Sequence, residues 1–231
     1  MAGLDILPCA FHTYETQTTH KGMAYFAGRQ IADKVWVRST DIMAPNIHSL
    51  TSVFETGTTV KECSPPWLTI WTVPIDDGSC MNFCLCHLPE SDTMPDEARN
   101  KAMLAAGGQT PHRPYAERQR IPGDYDAMCS QGAIASHSLE QLGTLDAGVV
   151  MFRRLLRQGI RDVKEGREPR GLIRSSDVQP TYSSDRIIPA ASMGGDPADP
   201  DALLAYTQGL AQQYLKAPPR SEEHTSELQS H

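Results

Sequence analysis

The sequence predicts an α+β fold in which an antiparallel sheet curls around a long C-terminal helix. Three observations predict it. The first half carries paired runs of alternating apolar and polar residues joined by short turn signals, the period-2 pattern of half-buried strands. The second half carries apolar residues recurring every three or four positions, the stripe of amphipathic helices. Strands precede helices instead of alternating with them, which favours a layered α+β arrangement over repeated βαβ units.

The strands come first. GMAYFAGRQI (22–31) and KVWVRSTDIM (34–43) are separated only by Ala32-Asp33, a hairpin signal. WLTIWTVPI (67–75) and CMNFCLCHL (80–88) flank a turn containing Asp77-Gly78, a dipeptide that tight hairpin turns favour. Alternation along CMNFCLCHL places Met81, Phe83 and Leu85 on one face, where they are expected to enter the core together. The stretch between the hairpins, APNIHSLTSVFETGTTVKECSPP, lacks periodicity and is expected to form a long loop or lid.

The helices follow. PDEARNKAMLAAGG (95–108) has Pro95 at a first helical position, acidic residues in its first turn and glycines at its stop. A proline-containing polar connector leads to IPGDYD. Thr144 is expected to cap the next helix, LDAGVVMFRRLLRQGIRDVKEG. Val149, Phe152, Leu156, Ile160 and Val163 form its apolar stripe, with Arg153, Arg154, Arg157 and Arg161 on the flanks as a solvated face. Gly166 and Pro169 end it. A last helix starts at Asp199-Pro200, with Leu203, Tyr206, Leu210 and Tyr214 in register.

Composition narrows the function. The net charge of −7 argues against nucleic acid, which selects basic surfaces. No apolar run is long enough to span a membrane, and MAGLDILPCAFHTYE lacks the basic and apolar regions of a signal peptide. The expected compartment is therefore cytoplasmic, with the six cysteines as free thiols. Cys80, Cys84, Cys86 and His87 are the tightest cluster. On a strand, His87 would point away from the three cysteines, so the four would not converge on one ion. Asp124 and Asp126 stand together on a Pro-Gly loop, where turn chemistry and metal binding are both open from residue type alone.

The block RPYAERQRIPGDYDAMCSQGAIASHSLEQLGTLDAGVVMFRRLLRQGIRDVKEG (113–166) resembles the C-terminal catalytic domain of Rieske non-haem iron oxygenases, in the phthalate dioxygenase-like group of α subunits. The match rests on Gly-Asp some eight residues before a QG-x-I segment, then HSLEQLG, then D-x-GV opening a helix with FRR-x-LR. WTVPIDD and VWVRSTDIMAPNIH resemble that family's strands and the loop between them, so the likeness runs from about Glu15 to Leu215. The resemblance implies a helix-grip, START-like fold. It implies hydroxylation or O-demethylation of an aromatic substrate by O2 at a mononuclear Fe(II), with electrons from a reductase component passing through a Rieske [2Fe-2S] cluster. It further implies a homotrimer. The family's iron takes two histidines and one carboxylate, and matching to SQG puts that carboxylate on Asp124, not Asp126.

The rest of the ligand set is missing from this sequence. The family's D-x2-H-x4-H motif does not occur, and His12 and His20 lie too far apart to form it. His48 and His137 are not assigned to iron. No C-x-H pair occurs, so no Rieske cluster can be built. The expected organisation is a catalytic fragment over residues 1–219 that lacks the Rieske domain and does not turn over by itself. The tail RSEEHTSELQSH (220–231) resembles a translated sequencing adapter or a disordered extension. The alternative is a stand-alone helix-grip module that binds a small apolar ligand without redox chemistry.

Overall fold

The computed structural model describes residues 12–88, 95–106, 112–174, 176 and 179–220, without the side chains of 12–14, 102–106 and 124. Seven strands form one antiparallel sheet: β1 (His12–Thr18), β2 (Gly22–Ile31), β3 (Lys34–Met43), β4 (Ile47–Leu50), β5 (Leu68–Asp76), β6 (Ser79–Cys86) and β7 (Ser184–Pro189). Strands β1 to β6 neighbour one another in chain order, while β7 pairs with β3. Among the described residues there are five α-helices: α1 (Asp96–Ala106), α2 (Tyr115–Arg120), α3 (Asp124–Ser130), α4 (Ala147–Lys164) and α5 (Pro200–Lys216). This is the α+β sheet-and-helix arrangement expected, consistent with a helix-grip fold. No helix among the described residues is long and apolar enough to cross a membrane.

The β2–β3 hairpin pairs in full register from Gly22↔Met43 to Ile31↔Lys34. Its turn needs a positive φ at Ala32, 50°. Along its other edge β3 is shared. Residues 34–39 pair with β7 and residues 41–43 with β4, so the sheet forks at Thr40. In the β5–β6 turn the Asp76 carboxylate accepts from the Gly78 N–H at 2.8 Å and the Ser79 hydroxyl at 2.7 Å.

Pairing assigns the two faces of the sheet. Ala24, Phe26, Val35, Val37 and Ile188 lie on one face, and α5 covers them with Leu203, Leu210, Ala211 and Tyr214, all 5 % exposed or less. Asp199 caps α5 by accepting from the Asp201 N–H at 3.1 Å, and Pro200 supplies the fixed φ of a first turn. Phe26 and Tyr214 stack tilted at 6.0 Å between centroids. Each fully buried leucine or phenylalanine here is worth about 1.5–3 kcal/mol of transfer free energy.

The opposite face holds Met23, Tyr25, Trp36, Thr40 and Ile42, and α4 reaches it. Gly148 allows the contact, because a Cβ there would stand 3.2 Å from Thr16 Oγ1. The stretch 51–66 lies over Trp36, where a Cβ on Gly57 would come within 2.6 Å of the indole. That stretch is irregular, as expected of a loop or lid, but it is preceded by the short strand β4.

Several expectations are corrected. Met81, Phe83 and Leu85 share a face but do not enter the core; they are exposed. Phe83→Ser should therefore change the folding free energy by no more than about 0.5 kcal/mol in urea denaturation. A loss of about 2 kcal/mol or more would show that this face is covered. The α4 stripe is only half used: Phe152 and Leu156 are half-buried, but Val149, Ile160 and Val163 are exposed among the described residues. Thr144 does not cap α4 with its side chain. Instead a 3-10 turn over 144–146 intervenes, and Asp146 accepts from the Gly143 N–H at 2.8 Å. Strands β1 and β7 were not legible as strands. Most of the 220–231 tail and the Gly107-Gly108 stop lie outside the described residues.

Candidate functional site: a pocket between the sheet and the fourth helix

The α4-facing side of the sheet carries a cavity of about 610 Å³, within the size range of small-molecule sites. Its floor is set by strand register. Tyr25 and Thr40 are cross-strand partners on β2 and β3, and Ile42 faces His48 across β3 and β4. The fork at Thr40 opens this floor, since β7 stops at Ser39 and β4 begins only at Asp41. The β3–β4 turn, with a cis Ala44–Pro45 bond, supplies the rim. Asn46 ties that rim to β5: its side-chain amide donates to the Thr72 carbonyl at 3.0 Å, and its carbonyl accepts from the Thr72 N–H at 2.9 Å. Pro74 and the Phe152 ring of α4 close the remaining sides.

No lining residue among those described is charged. Of the polar ones, Asn46 and Thr72 are committed, the Thr72 hydroxyl donating to Asn82 at 2.8 Å. Thr40 Oγ1 is buried with no hydrogen-bond partner. His48 is half-buried, and desolvation pushes its imidazole below the ordinary histidine range, favouring the neutral ring. In the sequence His48 stands unassigned and Thr40 carries no local signal. Strand alternation puts Thr40, Ile42 and Trp36 on one face, but only the pairing with β4 and the placement of α4 turn that face into a pocket.

The Pro-Gly loop leads directly into α3, with Asp124 as its first residue; the Asp124 side chain lies outside the described residues. Asp126 is committed elsewhere. Its carboxylate accepts from Arg113 at 2.5 Å, from Arg118 at 2.5 Å and from the Gly123 N–H at 2.9 Å. The Gly123 and Arg118 bonds hold its carboxyl below the usual range. A carboxylate this engaged ties α2, the connector and α3 together, and its lone pairs are not available to an ion.

The other candidates separate. His87 lies on the face opposite Cys80, Cys84 and Cys86, as expected, and bonds Thr69 Oγ1 at 2.9 Å, which in turn bonds Ser49 at 2.9 Å. Burial pushes the Cys84 and Cys86 thiols up, away from the thiolate form that binds metals. His20 and His137 are exposed, and the His12 side chain lies outside the described residues. Among the described residues no group of three or more His, Cys, Asp or Glu side chains converges. The described residues therefore do not fit a two-histidine, one-carboxylate iron site, which needs three such ligands around one ion.

No family model matches the chain. Over 196 residues, 80% of this chain and 40% of the relative, it is 35% identical to the oxygenase subunit of tert-butanol monooxygenase / tert-amyl alcohol desaturase from Aquincola tertiaricarbonis. Over 156 residues, 65% of this chain and 34% of the relative, it is 27% identical to the α subunit of phenoxybenzoate dioxygenase from Ectopseudomonas oleovorans. The chain thus spans between a third and two fifths of these curated relatives. Over four fifths of its own length it is similar to an oxygenase subunit, and it carries a small-molecule-sized pocket with an uncharged lining.

Proposed function

We propose that residues 1–219 are the C-terminal catalytic portion of an oxygenase α subunit, inactive as this piece alone. In the whole protein a Rieske [2Fe-2S] cluster passes reductase-supplied electrons to a mononuclear Fe(II), and O2 is used to hydroxylate or O-demethylate an aromatic substrate. The assembly is a homotrimer. The observation that carries this reading is the pocket beneath α4, in a chain similar to oxygenase subunits. What this chain contributes is binding: Ile42, Pro74 and Phe152 surround an apolar body, while the strand floor orients it and excludes water.

Asp124 is the proposed iron carboxylate, at the start of α3. Asp126 is its positioning neighbour. The two histidine ligands that would complete the set are not found in this sequence.

Two measurements test the reading. Sequencing upstream of the Met1 codon should reveal an open frame encoding C-x-H, C-x2-H and D-x2-H-x4-H. An in-frame stop directly before Met1 would replace it with the ligand-binding module. In the complete protein, Asp124→Ala should abolish bound iron as measured by metal analysis. Asp126→Ala should retain iron but loosen the α2–α3 segment, seen as faster proteolysis there. Full iron retention in Asp124→Ala would overturn the assignment.

A further inference from the structure

The pocket's polar inventory says more than that it holds a small molecule, and the inference that follows deepens the functional reading above. Tyr25 and His48 line the pocket with half-buried polar side chains, and Thr40, also in the lining, keeps its Oγ1 buried beneath the floor without a hydrogen-bond partner. Thr40 Oγ1 is shielded from solvent and so from the cavity, which leaves Tyr25 and His48 as the polar side chains a ligand can reach. Tyr25 lies directly across from Thr40, and His48 directly across from Ile42, the next residue of β3 on the same face. The three therefore share one patch of the floor.

The pocket also lacks a counter-charge. Arg38 lies two residues before Thr40 on the same face of β3, yet its guanidinium is spent on Asp185 at 2.9 Å and the Ser52 carbonyl at 2.7 Å. A carboxylate bound here would be stripped of water with no cation to receive it. A neutral imidazole and the Tyr25 hydroxyl can instead donate to and accept from an uncharged oxygen.

We infer that this pocket selects a compact, uncharged molecule with an apolar body and one hydroxyl or ether oxygen, and that His48, with Tyr25, is the anchor for that oxygen. The apolar body rests against Ile42, Pro74 and Phe152.

Three probes of matched size separate the contributions: benzyl alcohol, benzoate and toluene, titrated into the 231-residue chain near neutral pH with binding read by ligand-observed NMR. Benzyl alcohol should bind about tenfold more tightly than toluene, the scale of one or two net hydrogen bonds, and at least about tenfold more tightly than benzoate. His48→Leu should remove the alcohol's advantage while leaving toluene within about twofold, and His48→Gln, which keeps hydrogen-bonding capacity, should restore part of it. Phe152→Trp, which narrows the cavity, should weaken alcohol and toluene alike. Benzoate binding as tightly as the alcohol would overturn the neutral-substrate inference. An unchanged alcohol-to-toluene ratio in His48→Leu would overturn the anchor. Either result leaves the oxygenase reading standing. Failure of all three probes to bind at millimolar concentration, or binding untouched by Phe152→Trp, would instead remove the pocket and the functional reading built on it.

Discussion

Lys21→Met is expected to cost about 3–5 kcal/mol of folding stability, because it leaves a buried carboxylate without its cation. Lys21 Nζ stands 3.6 Å from Asp41 Oδ2, with the two side chains 2 % and 0 % exposed. Lys21 also donates to the Pro180 carbonyl, and the Tyr182 N–H donates to Asp41 at 3.4 Å. Asp41 Oδ1 is buried with no hydrogen-bond partner within normal geometry among the described residues. Burial pushes the Asp41 carboxyl above its ordinary value, with Lys21 pulling the other way. Taking away the pull leaves desolvation opposed only by the Tyr182 N–H and Thr181.

The sign with pH follows. A carboxyl whose folded pKa is raised is penalised in its charged form, so its cost is full above that pKa and shrinks as pH falls through it. The stability gap between Lys21→Met and the parent should therefore narrow between neutral pH and about pH 4.5. The double variant Lys21→Met/Asp41→Val removes both charges and should recover at least half of the loss, since apolar replacement of a buried pair is often neutral. Urea denaturation at the two pH values, on all four members of the cycle, checks this. A gap that does not narrow in acid, or a double variant as unstable as Lys21→Met, would mean that Lys21 acts through its carbonyl bond and not through the ion pair.

Asp185→Ala should cost about 3 kcal/mol and free the loop over 51–66. Asp185 is 1 % exposed and accepts from Trp36 Nε1 at 2.7 Å and from the Arg38 guanidinium at 2.9 Å and 3.2 Å. Arg38 also reaches the Ser52 carbonyl at 2.7 Å, so the carboxylate holds the start of the loop through Arg38, while the Asp185 N–H donates to Ser64 Oγ at 2.9 Å at its end. Trp36 is held between two cations, with Arg29 at 4.4 Å and Arg38 at 4.7 Å from its ring, and the loop crosses its indole at Gly57. Losing the carboxylate strands an indole N–H and a mostly buried guanidinium. Limited proteolysis should then cut within 53–60 faster than in the parent, while Asp185→Asn, which keeps one acceptor, should lie between. Unchanged proteolysis in Asp185→Ala would show that backbone pairing at Lys61↔Ile187 holds the loop by itself.

How legible the molecule was depended on the range of the interactions involved. Both hairpins were readable because their turns and alternation are local, and the observed register follows Ala32-Asp33 and Asp77-Gly78 closely. Helix α5 was readable from Asp199-Pro200 and its apolar spacing. Strand β7 was not, because SDRIIP is short, ends in proline and gains its identity only by pairing with β3 some 150 residues away. Met81, Phe83 and Leu85 misled for the same reason: alternation states that residues share a face, not that anything covers it.

The site divides in the same way. The Asp124–Asp126 loop was visible as a motif, and the structure adds why Asp126 cannot share the role proposed for Asp124: two arginines and a backbone N–H already fill it. His48 and Thr40 carry no local signal, being ordinary strand residues until the fork in β3 and the approach of α4 enclose them. By itself the sequence determined both hairpins, helices α4 and α5, and the resemblance of the central block, since these follow from spacing within a few residues. Which face became core, which became pocket and which stayed open was decided only by tertiary packing. Those outcomes depend on contacts between segments that no local periodicity encodes.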